Sequence, residues 1–339
     1  MRMWSLRGRA VKGALRLLGL GAALVLLALA AADLGSGSGS LAAEGCTITL
    51  SPGESIQQAI DDAPPGAVIC LGEGTWEENL VIRKSVTLRG AGADKTVIRS
   101  AWESRPVVWI EGSEIEVILE GLTLTGGEQG LMAEDSAQVT LQDCQVSGNG
   151  WAGLSVGSSA QVTLQDSKVL ENLLGLCVWD SARVTLQDST VSGNRDDGLS
   201  VGSSARVSLQ DSQVSGNGGD GLYVQDSAQV TLQDCQVSGN GEDGLHVGGS
   251  AQVELTDCWI SDNFWCGIRS VNEAAVITGW GNWVNGYLCD YFTPPPGFLR
   301  DSPPRPLVDR AEVCPQGCQF STIQEAIIMT RPGGDRPHP

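Results

Sequence analysis

Between residues 138 and 274 apolar residues fall at alternate positions in short bursts, and the bursts recur about every 23 residues. In the unit 229–251 they are Val230 and Leu232, then Val237 alone after a polar corner, then Leu245 and Val247. Alternation with period two predicts strands, and no stretch of helical periodicity lies between them. The gaps hold turn chemistry, Ser238-Gly239-Asn240-Gly241, Asp243-Gly244 and Gly248-Gly249-Ser250, where glycine and asparagine accept left-handed backbone. Each unit is therefore expected to form one three-sided coil that buries its apolar side chains only against its neighbours.

Four full copies cover 138–160, 183–205, 206–228 and 229–251, joined by a copy one residue shorter at 161–182 and a drifting one at 252–274. Stacked as parallel strands, equivalent residues repeat about every 4.8 Å. One such ladder is Asn149, Asn172, Asn194, Asn217, Asn240 and Asn263, whose amides are placed to chain together. Another is a small-residue corner of Cys144, Ser167, Ser189, Ser212, Cys235 and Cys258. A leucine-rich repeat fails because Gln233-Asp234-Cys235-Gln236-Val237 follows Leu232, and a calcium-binding nonapeptide roll fails because Gly216-Asn217-Gly218-Gly219-Asp220 does not recur in tandem.

Upstream, strands are predicted at 67–71, 80–82, 86–88, 107–110, 117–119 and 122–124 as less regular coils. A short helix is predicted over 52–63, with Ser51 and Glu54 as a capping box, Pro52 at its first position and Ile56, Ala59, Ile60 and Ala63 as one apolar stripe. Laid over the first coil, it hides an edge that otherwise recruits strands.

The motif V-x-L-x-[DN]-[SC]-x-V-x-x-N-x-x-x-G-[IL]-x-V resembles the secreted right-handed parallel β-helix proteins of the pectin-lyase-like and sugar-binding superfamily. The resemblance covers roughly residues 46–290 and is specific for fold and weak for activity. It implies an all-β solenoid of roughly ten coils with the N-terminal capping helix. The expected organisation is a signal peptide at 1–43 and a β-helix domain at 44–292, the latter comprising a cap at 46–66, irregular coils at 67–137, the repeats at 138–274 and a C-terminal cap at 275–292. A proline-rich linker follows at 293–307. Residues 308–339 are then either a disordered or disulfide-tethered tail or the truncated start of a second β-helix domain, since Ile323-Gln324 and Ala326-Ile327 repeat Ile56-Gln57 and Ala59-Ile60.

The first residues carry Arg2, Arg7, Arg9, Lys12 and Arg16, then an apolar run at 17–32 and small-residue cleavage sites, the pattern of an exported protein. That run is short for a membrane span, which favours cleavage and export, with an uncleaved anchor as the alternative, so no span is expected after cleavage. Loss of 1–43 removes five positive charges and one negative, which takes the formal net charge from -19 to -23. So acidic a surface argues against nucleic acid. Export permits disulfides. Of ten cysteines, Cys46 pairs best with Cys70 across the cap helix, Cys314 and Cys318 are a second candidate set, and the corner cysteines read as small buried hydrophobes. No Cys-x-x-Cys pair suggests zinc.

Two carboxylate sets are candidates for chemistry. The row Asp143, Asp166, Asp188, Asp211, Asp234 and Asp257 occurs in every unit and reads as turn caps bonding nearby backbone N–H groups rather than as a calcium ladder. A second set is confined to three coils: Asp196-Asp197, Asp220 and Glu242-Asp243. There Asp197, Asp220 and Asp243 are the candidate calcium ligands, and with Arg195 the candidate catalytic groups; the stacked pair Arg183 and Arg206 is an alternative source of base. The polygalacturonase motifs of the superfamily are matched only at Asp196-Asp197, and no histidine is expected beside the patch although His246 lies in the repeats. A copper-enzyme maturation role, known among similar periplasmic β-helices, lacks its His and Met ligands. Among the late aromatics Trp259, Phe264, Trp265, Trp280, Trp283, Tyr287, Tyr291 and Phe292, which read mainly as an end plug, Trp265 and Trp280 are the expected exposed sugar-stacking residues. The chain therefore reads as a monomeric, secreted or cell-surface, non-catalytic module that binds polysaccharide or another cell-envelope component, needing no cofactor beyond possible calcium. The alternative is a divergent lyase, hydrolase or epimerase acting on acidic polysaccharide.

Overall fold

The computed structural model describes residues 45–300. They form a right-handed parallel β-helix of about eleven turns, with three sheets of eleven, ten and ten parallel strands. One coil contributes Gln229–Gln233 to the first sheet, Gln236–Ser238 to the second and Leu245–Val247 to the third. Register follows the repeat: Val207 pairs with Val230 and Leu222 with Leu245, so like stacks on like. The inward columns of Val and Leu from all three sheets make one continuous core, with Leu209, Val214 and Leu222 essentially inaccessible.

The asparagine ladder is present. From Asn172 onward each side-chain carbonyl accepts both the backbone N–H and the side-chain amide of the asparagine one coil earlier, as Asn217 does from Asn194 at 3.2 and 2.9 Å. A buried turn thereby satisfies donors that no strand partner reaches. At the small-residue corner the Ser189 and Ser212 hydroxyls accept backbone N–H groups in the same way, and Cys144, Cys235 and Cys258 are buried. The aspartate row behaves differently from expectation. Every member adopts positive φ, from 48° at Asp188 and Asp211 to 54° at Asp257, so the row supplies left-handed corners that Asp tolerates rather than side-chain caps on backbone N–H groups.

The helix is shorter than predicted, Ile56–Asp62, with Ser55 as its N-cap. Its start is set from outside: Glu78 accepts the backbone N–H groups of Ile56 (2.8 Å) and Gln57 (3.0 Å), while Ser51 and Glu54 only close the preceding turn. The stripe of Ile56, Ala59, Ile60 and Ala63 is buried as expected. Strands at Gly74–Glu77, Thr96–Arg99 and Gln129–Ala133 escaped the sequence pattern because each offers few inward apolar residues among glycines and polar ones.

The C-terminal end also departs from expectation. Residues assigned to a cap at 275–292 build a further coil from Val276–Trp280, Trp283–Val284 and Tyr287–Asp290. The first part of the expected linker folds onto that coil: Phe298 is fully buried edge-on against Phe292, and Asn282 donates its backbone N–H to Phe298 O at 2.8 Å. Burial of this one aromatic ring overrides the extended tendency of the prolines. A disulfide joins Cys46 to Cys70, and a second, not anticipated, joins Cys266 to Cys289. The expected signal peptide, Cys314, Cys318 and the tail from 308 lie outside the described residues.

Candidate functional site

Asp197, Asp220 and Asp243 each precede a Gly-Leu pair that opens a strand of the third sheet, so register brings them into one column. They are not solvated loop carboxylates. Asp197 Oδ1 accepts the backbone N–H of Asp220 (2.8 Å), Asp220 Oδ1 that of Asp243 (2.8 Å) and Asp243 Oδ1 that of Cys266 (2.9 Å). One oxygen of each is therefore structural, and Asp220 and Asp243 are buried, the latter with no accessible surface. Asp196 is exposed and Glu242 half-buried at the adjacent corner.

Three residues on from the column, the outward face of the third sheet presents Ser200, Tyr223, His246 and Arg269 in register on consecutive coils. His246 Nδ1 lies 3.4 Å from Asp220 Oδ2 and 3.4 Å from Asp243 Oδ2. This corrects the expectation that no histidine stands beside the patch: the strand entry folds the side chain three residues on back over the aspartate column. Arg269 Nε is 2.7 Å from Asp243 Oδ2, and its Nη1 is 3.7 Å from Asp290. The guanidinium packs 5.6 Å from the Trp265 ring, and the Tyr223 ring packs 5.0 Å from His246.

Electrostatics follow from burial and like-charge stacking. Burial pushes the Asp220 carboxyl up to about 7 and that of Asp197 to about 6, against the lowering effect of the backbone N–H each accepts. The Asp243 carboxylate pushes the His246 imidazole up; burial opposes the rise and Asp220 adds to it. The site thus holds protons readily near neutral pH, with the imidazole Nε2 edge making no hydrogen bond among the described residues.

Of the other expected residues, Arg195 is exposed and forms no ion pair among the described residues, while Arg183 and Arg206 stack on the first sheet, away from the column. Trp265 and Trp280 are both exposed, at 47% and 58%. They lie apart in the coil: Trp265 leads into the third sheet beside Arg269, and Trp280 ends a strand of the first. Phe264, Tyr287 and Tyr291 are exposed too, and only Trp259 and Phe292 are buried as a plug demands. His246, Arg269 and Tyr223 were missed. The signal was present in the variable position of Gly-Leu-x-Val, which reads Ser155, Cys177, Ser200, Tyr223, His246 and, in the drifting copy, Arg269.

Residues 129–286 match the family described as the right handed beta helix region, in agreement with the parallel β-helix of the structure. Among curated proteins, a cell surface glycoprotein of Methanothermus fervidus is 28% identical over 101 residues, covering 28% of this chain and 16% of that protein. The match thus spans about a sixth of its length. Among solved structures, an alginate lyase from Paenibacillus sp. str. FPU-7 aligns with a TM-score of 0.59 at 18% identity, covering 71% of this chain and 96% of that one. The A-module of a mannuronan C-5 epimerase, AlgE6, from Azotobacter vinelandii gives 0.53 at 22%, covering 67% and 84%. A carrot pectin methylesterase gives 0.50 at 12%, covering 73% and 89%. At these identities the likeness is one of fold.

Proposed function

We propose that the protein is an extracellular β-helix module that binds polysaccharide along the outer face of the third sheet, without turning it over. The observation that carries this reading is the row Tyr223, His246 and Arg269, flanked by the exposed Trp265, on consecutive coils of an otherwise uniform stack. A repeating polymer suits a repeating face: aromatic rings offer stacking surfaces, and the imidazole and guanidinium offer donors to hydroxyl or carboxylate oxygens. Export is supported by the two disulfides and by the likeness to a cell surface glycoprotein. No helix among the described residues is long and apolar enough to cross a membrane. A net charge of -19 repels acidic polymers at long range, so a uronate chain depends on the local cations.

Affinity electrophoresis in gels containing alginate, pectate or a neutral glucan tests the proposal. Retardation by at least one polymer is expected, lost in Trp265→Ala and Arg269→Ala and kept in Trp280→Ala. Parent-like retardation of the first two variants overturns the assigned face.

A second reading is catalytic, and one observation favours it: His246 Nδ1 lies 3.4 Å from two carboxylate oxygens and its ring packs against Tyr223, a setting that suits proton transfer. Incubation with alginate and pectate, following unsaturated-product absorbance and reducing ends, separates the two. Turnover abolished by His246→Ala selects the catalytic reading.

A further inference from the structure

We propose that Asp220, Asp243 and His246 form a binding site for one zinc-type divalent cation. Asp220 Oδ2, Asp243 Oδ2 and His246 Nδ1 lie within 4.8 Å of one another, on two adjacent coils of a rigid ladder. The two N···O separations are each 3.4 Å, longer than a good hydrogen bond. They match an edge of a tetrahedron around zinc: ligand bonds of about 2.0–2.2 Å at tetrahedral angles put donor atoms about 3.4 Å apart.

A second, independent observation points the same way. Asp243 Oδ2 is wholly buried and makes no hydrogen bond. Arg269 Nε lies 2.7 Å from it, yet that N–H is itself without an acceptor, because it is not directed at the oxygen. An inaccessible carboxylate oxygen with no donor is costly, and a cation at the centre of the three ligands removes the cost. The Oδ1 atoms are already committed to the backbone N–H groups of Asp243 and Cys266, which fixes both carboxylates as outer-shell bonds fix metal ligands.

The donor set selects the ion. Calcium takes six to eight oxygens in a flexible cage, whereas this site offers one buried oxygen from each of two carboxylates and an imidazole nitrogen, the mixture that suits zinc. Three protein ligands leave a fourth position open for water or a ligand oxygen, and the half-buried His246 is the member of the three with the most solvent contact. If the polysaccharide reading holds, a sugar oxygen fills it.

The test uses the full chain, stripped with a chelator and titrated with Zn²⁺ against a competing fluorescent chelator. One equivalent is expected to bind and raise the melting temperature, with Ca²⁺ and Mg²⁺ at equal concentration failing to displace it. His246→Ala, whose side chain holds no backbone group, is expected to fold as the stripped parent does. It should lose affinity by at least the roughly 10–100-fold that loss of an outer-shell partner costs. X-ray absorption at the zinc edge of the parent should show nitrogen and oxygen neighbours only. No binding, undiminished binding by His246→Ala, or a sulfur shell from the free cysteines overturns the site. Glycan binding measured with and without Zn²⁺ stands apart: retardation that ignores the metal leaves the polysaccharide face and removes only the ion's part in it.

Discussion

Asp220 is asked to do two things. Its Oδ1 must stay an acceptor for the next coil, while its Oδ2 lies 3.4 Å from His246 Nδ1 in a largely buried carboxylate that also feels the charges of Asp197 and Asp243. The sign of the resulting pH dependence is fixed by the direction of the shifts. A carboxyl at 3.8 in the unfolded chain and about 7 when folded lends stability below 3.8 that is lost as pH rises through about 7. Asp197, raised to about 6, and His246, raised above 6.5, act in the same direction. In the presence of chelator, the site therefore favours the folded state more at pH 5 than at pH 8. Asp220→Asn keeps the acceptor and discards the charge, so thermal melts at the two pH values should show its advantage over the parent growing with pH; a parent-like pH slope contradicts the burial assigned here. A second residue-scale constraint is space. A Cβ on Gly198 meets Gly221 O and Val214 Cγ1 at 2.7 Å and Asn217 Nδ2 at 2.8 Å, so Gly198→Ala forces apart two coils and the amide ladder. It should cost about 1–3 kcal/mol in denaturant melts, and an unchanged midpoint would show that the coil yields. The aspartates were legible as a departure from uniform repetition, but His246 and Arg269 were not. They belong to a different sequence column, and only the tight corner at Asp-Gly turns a three-residue spacing into a contact.

Among elements, the repeats were read almost without error because three short alternations per unit leave no competing periodicity. The ends were read poorly because tertiary contacts decide them: Glu78 moves the helix start from Ser51 to Ser55, and Phe298 draws a proline-rich segment onto the last coil. How the helix protects the sheet was also hidden from sequence. Leu80–Ile82 is the outermost strand of the third sheet, and the Gln57 amide pairs with both backbone groups of Val81, accepting its N–H at 2.8 Å and donating to its carbonyl at 3.0 Å. One side chain thus occupies the hydrogen-bonding positions that another strand would use. Gln57→Ala frees both groups, with an expected loss of about 1–3 kcal/mol and concentration-dependent self-association. Light scattering across a dilution series checks the second effect, and a variant that stays monomeric would place edge protection in the buried stripe of Ile56 and Ile60 instead.

For the whole molecule, stability is close to a sum of identical interfaces, in which interior coils have two neighbours and terminal coils one. The two disulfides stand where that count is lowest. Cys46–Cys70 ties the first strand region to Ala67–Leu71, and Cys266–Cys289 ties the last coil to the one before it, with separations of 24 and 23 residues, one coil each. The first was legible because two cysteines bracket one helix; the second was not, because Cys266 occupies the column that holds Asp243 and Asp220 elsewhere. Closing loops of this length stabilises by about 3 kcal/mol each in the chain-entropy account. Replacing Cys266 and Cys289 by Ser should therefore loosen Val276–Trp280 and Tyr287–Asp290 first, while the six repeats keep their protection. Hydrogen exchange read by mass spectrometry resolves the order: rapid exchange confined to residues 276–290 is expected, followed on heating by one cooperative loss across 138–274. Early exchange in the middle of the repeats would mean that the coils are not equivalent, and that the buried carboxylate column of Asp197, Asp220 and Asp243, rather than the open end, is the weakest interface of the stack.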